Sequence, residues 1–136
     1  MIVADSNLIA YLFIDGDNTA TAVGVMNRDP EWAAPVLWRS EFRNIIATYL
    51  RRDEFVVQYG ITLIEQAEKL MAGNEHIVQS SRVLQLAADS GCTAYDCEFV
   101  AVAEHLGVPL ITFDHAILNA FPQVAMDPAR FLASAR

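Results

Sequence analysis

Short apolar runs alternate along this chain with stretches whose apolar residues recur three and four apart, and that alternation sets out the elements. "MIVAD" predicts a strand ending at Asp5, and "SNLIAYLFI" a helix that Ser6 is placed to cap. "DGDN" reads as a turn, followed by a second helix over "TATAVGVMNR". "WAAPV" predicts a buried strand, and Pro35 marks its join to the helix containing "VLWRSEFRNII". An amphipathic helix over "ITLIEQAEKLMAG" stops at a glycine, "EHIV" is a candidate edge strand, and "SSRVLQLAADSG" is a helix closed by Gly91. The rest reads as helix "TAYDCEFVAVAEHLG", strand "VPLITF", short helix "DHAILNAF", strand "VAM" and a terminal helix "PARFLASAR" with Pro128 in its first turn. Strands that alternate with helices predict a parallel sheet covered on both faces.

One position breaks the pattern. Leu37, Trp38, Phe42, Ile45, Tyr49 and Leu50 share a helix face, and Glu41 stands inside that stripe, mid-helix, where it can cap nothing. Burying an unpaired charge is costly, so either a cation meets Glu41 or its side chain reaches water at the edge of the stripe. Arg39 and Arg43 lie two positions away and point elsewhere, which rules out a local i,i+4 pair. A distant arginine and a metal ion both remain open as the partner.

Composition narrows the setting. A chain of 136 residues without repeats, low-complexity tracts or linkers is expected to form one domain. With 54% hydrophobic and 19% charged residues it reads as compact and soluble, and no apolar run approaches a membrane span. The amino terminus lacks the basic flank of an export signal, so a cytoplasmic location is expected. Cys92 and Cys97 lack the spacing of a zinc site and read as buried free thiols of a reducing compartment. The net charge of −8 opposes contact with a bare phosphate backbone, unless several acids gather in one cleft and divalent cations neutralise them.

Four acids fit that exception. In an open parallel sheet, ligands collect beyond the carboxyl ends of the strands, where Asp5 and Asp114 stand. Each could equally be the cap of the helix it precedes. Asp96 lies in a predicted first turn, where Thr93 and Asp96 also have the spacing of a capping box. Capping leaves Glu41 unexplained. If the four converge, two unit charges about 6 Å apart repel by on the order of 3 kcal/mol at an effective dielectric near 20, which cations would relieve. Oxygen ligands without histidine or thiolate favour Mg²⁺ or Mn²⁺, one or two ions. Such a site can activate water against a phosphodiester, a second ion ~3.5–4 Å from the first stabilising the leaving oxygen.

The opening "MIVADSNLIAYL", the helix "WRSEFRNIIATYL" and above all "TAYDCEFVAVAEHLGVPLITFD" together resemble a PIN domain, and more narrowly the VapC-type toxins of bacterial and archaeal toxin–antitoxin pairs. The resemblance covers nearly the whole chain and implies a single PIN-like domain over residues 1–136, folded as a three-layer α/β/α sandwich around a mainly parallel sheet. It also implies Mg²⁺- or Mn²⁺-dependent endoribonuclease activity on RNA, dimerisation, and inhibition by a small antitoxin that plugs the cleft. The family's acidic quartet falls on Asp5, Glu41, Asp96 and Asp114. Ser6 and Thr112 match polar family positions that hold a water or orient a carboxylate, with Asn7 a further such position; a cap or a strand hydroxyl accounts for Ser6 and Thr112 equally well. Arg39 and Arg43, flanking Glu41, are candidates for RNA phosphates or members of a solvated face.

Two other readings compete. "YLFIDGDNT" resembles the signature of haloacid-dehalogenase-like phosphatases, which would make Asp15 the nucleophile and Asp17 the acid/base. That reading expects a lysine after a later strand, whereas Lys69 falls inside an amphipathic helix, and it leaves Glu41 and Asp96 without roles. As a calcium loop the same stretch fails, because Ala20 and Met26 occupy the glycine and glutamate positions. No P-loop, G-x-S-x-G elbow or G-x-G-x-x-G is present. The second alternative is a catalytically inert PIN-like binding module, whose mark would be a broken quartet.

Overall fold

The computed structural model of the chain describes residues 1–134. Its elements run β1 (Ile2–Ala4), α1 (Ser6–Phe13), α2 (Thr19–Arg28), β2 (Trp32–Pro35), α3 (Trp38–Arg51), α4 (Val57–Met71), β3 (Glu75–His76), α5 (Ser80–Ser90), α6 (Ala94–Leu106), β4 (Leu110–Ile111), α7 (His115–Ala120), β5 (Ala125–Met126) and α8 (Pro128–Ala133). The final residues of the predicted terminal helix, 135 and 136, lie outside the described residues. No helix among the described residues is long and apolar enough to cross a membrane.

All strand pairs are parallel, in the order β3-β2-β1-β4-β5, and helices cover both faces to form a three-layer α/β/α sandwich. Because β1 is covered on both sides, Ile2, Val3 and Ala4 are all fully buried, which is why the strand reads as a continuous apolar run. The chain moves from β1 out to β3, then returns to lay β4 on the other flank of β1. The order in which strands are added therefore reverses between β1 and β4, and Asp5 and Asp114 come closely after those two strands.

The paired strands are shorter than the apolar runs predict. Of "VPLITF" only Leu110 and Ile111 are strand, although Thr112 N–H still bonds to Met126 O at 3.1 Å. Of "EHIV" only Glu75 and His76 pair, and Ile77 beyond them is 93% exposed. The amphipathic helix predicted from Ile61 begins earlier, at Val57.

Two further corrections concern the site. The cap of α1 is Asp5, whose Oδ1 accepts from Leu8 N–H at 2.7 Å, and Ser6 is left with its hydroxyl free for another task. Glu41 is not mid-helix: β2 ends at Pro35, α3 begins at Trp38, and Glu41 lies in its first turn. That turn is firmly seated. Trp38 is fully buried with its indole N–H on Glu75 Oε2 at 2.9 Å, and Arg39 reaches both oxygens of Glu75 at 2.7 Å. Phe42 and Ile46 continue the buried face, where α4 approaches so closely that Gly60 has no room for a side chain beside Ile46.

Candidate active site

A cleft of about 360 Å³ is lined by Asp5, Glu41, Asp96 and Asp114 together. Each of these acids belongs to the amino-terminal end of a helix: Asp5 and Asp114 cap α1 and α7, and Glu41 and Asp96 occupy the first turns of α3 and α6. Carboxylates are favoured there by the partial positive charge of the helix terminus, typically by about 0.3–1 kcal/mol each at exposed sites. Four such ends make clustered acids tolerable without removing their repulsion.

Hydroxyl groups hold the carboxylates in place. Thr112, fully buried, donates to Asp5 Oδ2 at 2.5 Å and accepts from Asp114 N–H at 3.0 Å. Phe113 N–H adds a bond to the same Asp5 oxygen at 3.3 Å, and Asp114 Oδ1 accepts from Ile117 N–H at 3.0 Å. Ser6 Oγ donates to Glu41 Oε1 at 2.7 Å. Asp96 is held by Thr93, which accepts from its backbone N–H at 3.0 Å and whose hydroxyl also pulls its carboxyl down.

The cluster carries uncompensated negative charge. Burial pushes the Asp5 carboxyl up to about 6, against the opposing pull of Thr112 and two backbone N–H groups, and Asp114 pushes it the same way. Burial raises Glu41 as well, with Ser6 opposing and Asp96 adding. Burial and then Asp114 raise Asp96. No guanidinium answers Glu41 among the described residues; Ser6 is its partner. Among the described residues no group of three acids, histidines or cysteines is arranged to hold an ion as it stands. Hydrogen bonds tie Asp5, Glu41 and Asp114 individually, and all four acids line the same cleft.

The other candidates divide. Arg39 is bound by Glu75 and Glu68, so its charge is already spent within the fold and it does not line the cleft. Arg43 is exposed and without an ion pair among the described residues. Asp15 and Asp17 are exposed in the turn between α1 and α2, and "YLF" before them is the end of a helix, not the strand a phosphatase nucleophile follows. Cys97 is buried and Cys92 half-buried, both free. Sequence reasoning missed Ser40, Asn44 and Tyr95 in the cleft lining. It also missed Glu98, whose carboxyl is raised by burial and by Glu41. Helical spacing from Glu41 and adjacency to Asp96 were the signals available for the three lining residues.

Residues 2–122 match the PIN domain. The chain belongs to the PIN domain family. This PIN domain is 24% identical over 124 residues to Ribonuclease VapC3 of Pyrobaculum aerophilum, spanning 89% of this chain and 95% of that protein. Among solved structures, PAE2754 from Pyrobaculum aerophilum shares its fold with a TM-score of 0.74 at 19% identity, over 96% of this chain and 91% of that one. FitAcB from Neisseria gonorrhoeae does so with a TM-score of 0.75 at 17% identity, over 95% and 99% of the two chains.

Proposed function

We propose that this PIN domain is a divalent-metal-dependent endoribonuclease and the toxin of a type II toxin–antitoxin pair. The observation that carries the reading is the convergence of Asp5, Glu41, Asp96 and Asp114 on one cleft, three of them raised by burial and mutual charge and none paired with a cation among the described residues. Its likeness to a protein named as a ribonuclease supports the same reaction.

The donor set fits Mg²⁺ or Mn²⁺: every side chain offered is a carboxylate or hydroxyl, and the cleft is roomy enough for an ion that keeps part of its water. Asp5, Glu41, Asp96 and Asp114 would hold one or two such ions. When bound, the metal supplies charge neutralisation at the phosphate and water acidic enough to lose a proton near neutral pH. The protein's own residues do the rest. Thr112 fixes Asp5 relative to Asp114, and Ser6 holds one oxygen of Glu41 while the other is left to the cleft. Asp96, which lines the cleft from the first turn of α6 and whose carboxyl is raised by burial and by Asp114, is the carboxylate available to take a proton from the attacking water. Water adds to phosphorus, the bond to the 3′ oxygen breaks and that oxygen takes a proton, leaving 5′-phosphate and 3′-hydroxyl ends.

A small antitoxin fits this cleft through an arginine, since clustered carboxylates favour a bidentate guanidinium. A homodimer and a cytoplasmic setting belong to the same proposal, and exposed Arg43 keeps its candidacy for a phosphate. The phosphatase reading loses its strand before Asp15, and an inert module leaves the intact quartet without a purpose. The test is to sequence RNA ends after controlled expression of wild type and Glu41→Gln. New 5′-phosphate ends confined to wild type support the reading, and identical ends from both contradict it.

A further inference from the structure

The ribonuclease reading leaves open how RNA is gripped by a protein of net charge −8, and the strand path inferred from the cleft walls rests on that reading. The α3 wall of the cleft continues beyond it. Ser40 and Asn44 line the cleft, and positions 40, 44, 48 and 51 share one helix face. Hydrogen bonds knit this strip together: Thr48 Oγ1 donates to Asn44 O at 3.1 Å, and Arg51 Nη2 donates to Thr48 Oγ1 at 3.2 Å. Arg51 is exposed at the far end, about 16 Å from Ser40 along the axis at 1.5 Å per residue, a reach of a few nucleotides. Unlike Arg39 and Arg82, it has no carboxylate partner among the described residues.

The α6 wall presents something different. Tyr95 stands next to Asp96, lines the cleft and is 63% exposed, although the ring makes no aromatic contact among the described residues. An aromatic face left open beside polar groups suits a stacked nucleobase, because every base has a π-face and an unpaired one can swing out to meet it.

We propose that an RNA strand crosses the acid cleft with one unpaired base stacked on Tyr95, its backbone following Ser40, Asn44 and Thr48 to a phosphate held by Arg51. The path selects single-stranded RNA, since a base engaged in a duplex cannot reach the ring. Arg51 then takes the role the sequence suggests for Arg39.

Binding of a fluorescein-labelled single-stranded RNA of about twelve nucleotides, in Mg²⁺ and across a range of NaCl, tests the path, with cleavage of the same RNA measured in parallel. Tyr95→Phe should bind as wild type, and Tyr95→Ala should bind about tenfold more weakly. Arg51→Gln should weaken binding and reduce the slope of log K against log salt by about 0.7, while a trinucleotide should bind it as it binds wild type. Both positions are exposed, and unchanged melting temperatures would show the fold intact. Unaltered affinity in both Tyr95→Ala and Arg51→Gln, or an unaltered salt slope in Arg51→Gln, overturns the path. Cleavage by wild type together with that result overturns the path alone. Tyr95- and Arg51-dependent binding without cleavage supports the path and overturns the nuclease, and wild type that neither binds nor cleaves overturns both.

Discussion

The hydroxyl of Thr112 donates to Asp5 Oδ2 at 2.5 Å, joining the first strand's acid to the strand that returns beside it. The same hydroxyl oxygen accepts the Asp114 N–H, so one buried side chain sets the separation of two cleft acids. Thr112→Val keeps the shape and removes both bonds, leaving buried polar groups unsatisfied. The expected loss is about 1–3 kcal/mol in urea unfolding, with Thr112→Ser close to wild type. A valine variant as stable as wild type would show that the bridge does not constrain Asp5.

Stability should fall as pH rises through the weakly acidic range. The folded Asp5 carboxyl is raised to about 6, above its unfolded value near 4, so between those pH values the folded state holds a proton that the unfolded chain has lost. Stability is therefore fully present below about 4 and declines until about 6, by roughly 2–3 kcal/mol from this group. Raised Glu41 and Asp96 act in the same direction. Glu75, lowered chiefly by its hydrogen bonds from Arg39, acts oppositely at the acid end. Melting temperatures of metal-free protein across pH 4–8 test this, and a rise toward neutrality would contradict it.

Divalent metal should reverse that neutral-pH deficit. Mg²⁺ or Mn²⁺ binding to the folded form adds about 2.7 kcal/mol at a hundred times its dissociation constant. Asp96→Asn, which removes a charge that burial and Asp114 disfavour, should melt higher than wild type without metal at pH 7 and respond less to metal. A metal response equal in the two proteins would place any bound ion elsewhere.

The seating of α3 should be equally sensitive. A Cβ at Gly60 would lie 2.7 Å from Ile46 Cγ2, a branched side chain with little freedom to withdraw. Gly60→Ala should cost about 1–3 kcal/mol in unfolding experiments, and pairing it with Ile46→Ala should recover part of the effect. Additive losses in the double variant would show that the two do not meet.

Much of the fold was legible from the sequence because local and global signals agree. The strand-then-helix alternation marks every element, since the covered parallel strands read as apolar runs and Gly91 and Gly107 end their helices with positive φ. Asp5 and Asp114 were visible as acids beyond strand ends, and Glu41 as a charge in an apolar stripe. The rest depends on tertiary contacts that periodicity does not encode. The start of α3 is set by Trp38 and Arg39 engaging Glu75, thirty-odd residues away in sequence, which moves Glu41 into a first turn and takes Arg39 away from the cleft. Ser6 carries the spacing of a helix cap, yet a partner on another helix claims its hydroxyl. Tyr95 is exposed and lines the cleft, and composition alone does not separate such a residue from an ordinary surface tyrosine.

The most direct measurement is the rate of RNA cleavage by purified protein as Mn²⁺ is titrated, for wild type and for Asp96→Asn, with chelator as the end point. Cutting should depend saturably on Mn²⁺, be lost with chelator, and be slower in Asp96→Asn by about a hundredfold or more. Cutting that survives chelation, or that proceeds equally in the two proteins, would contradict the proposed function.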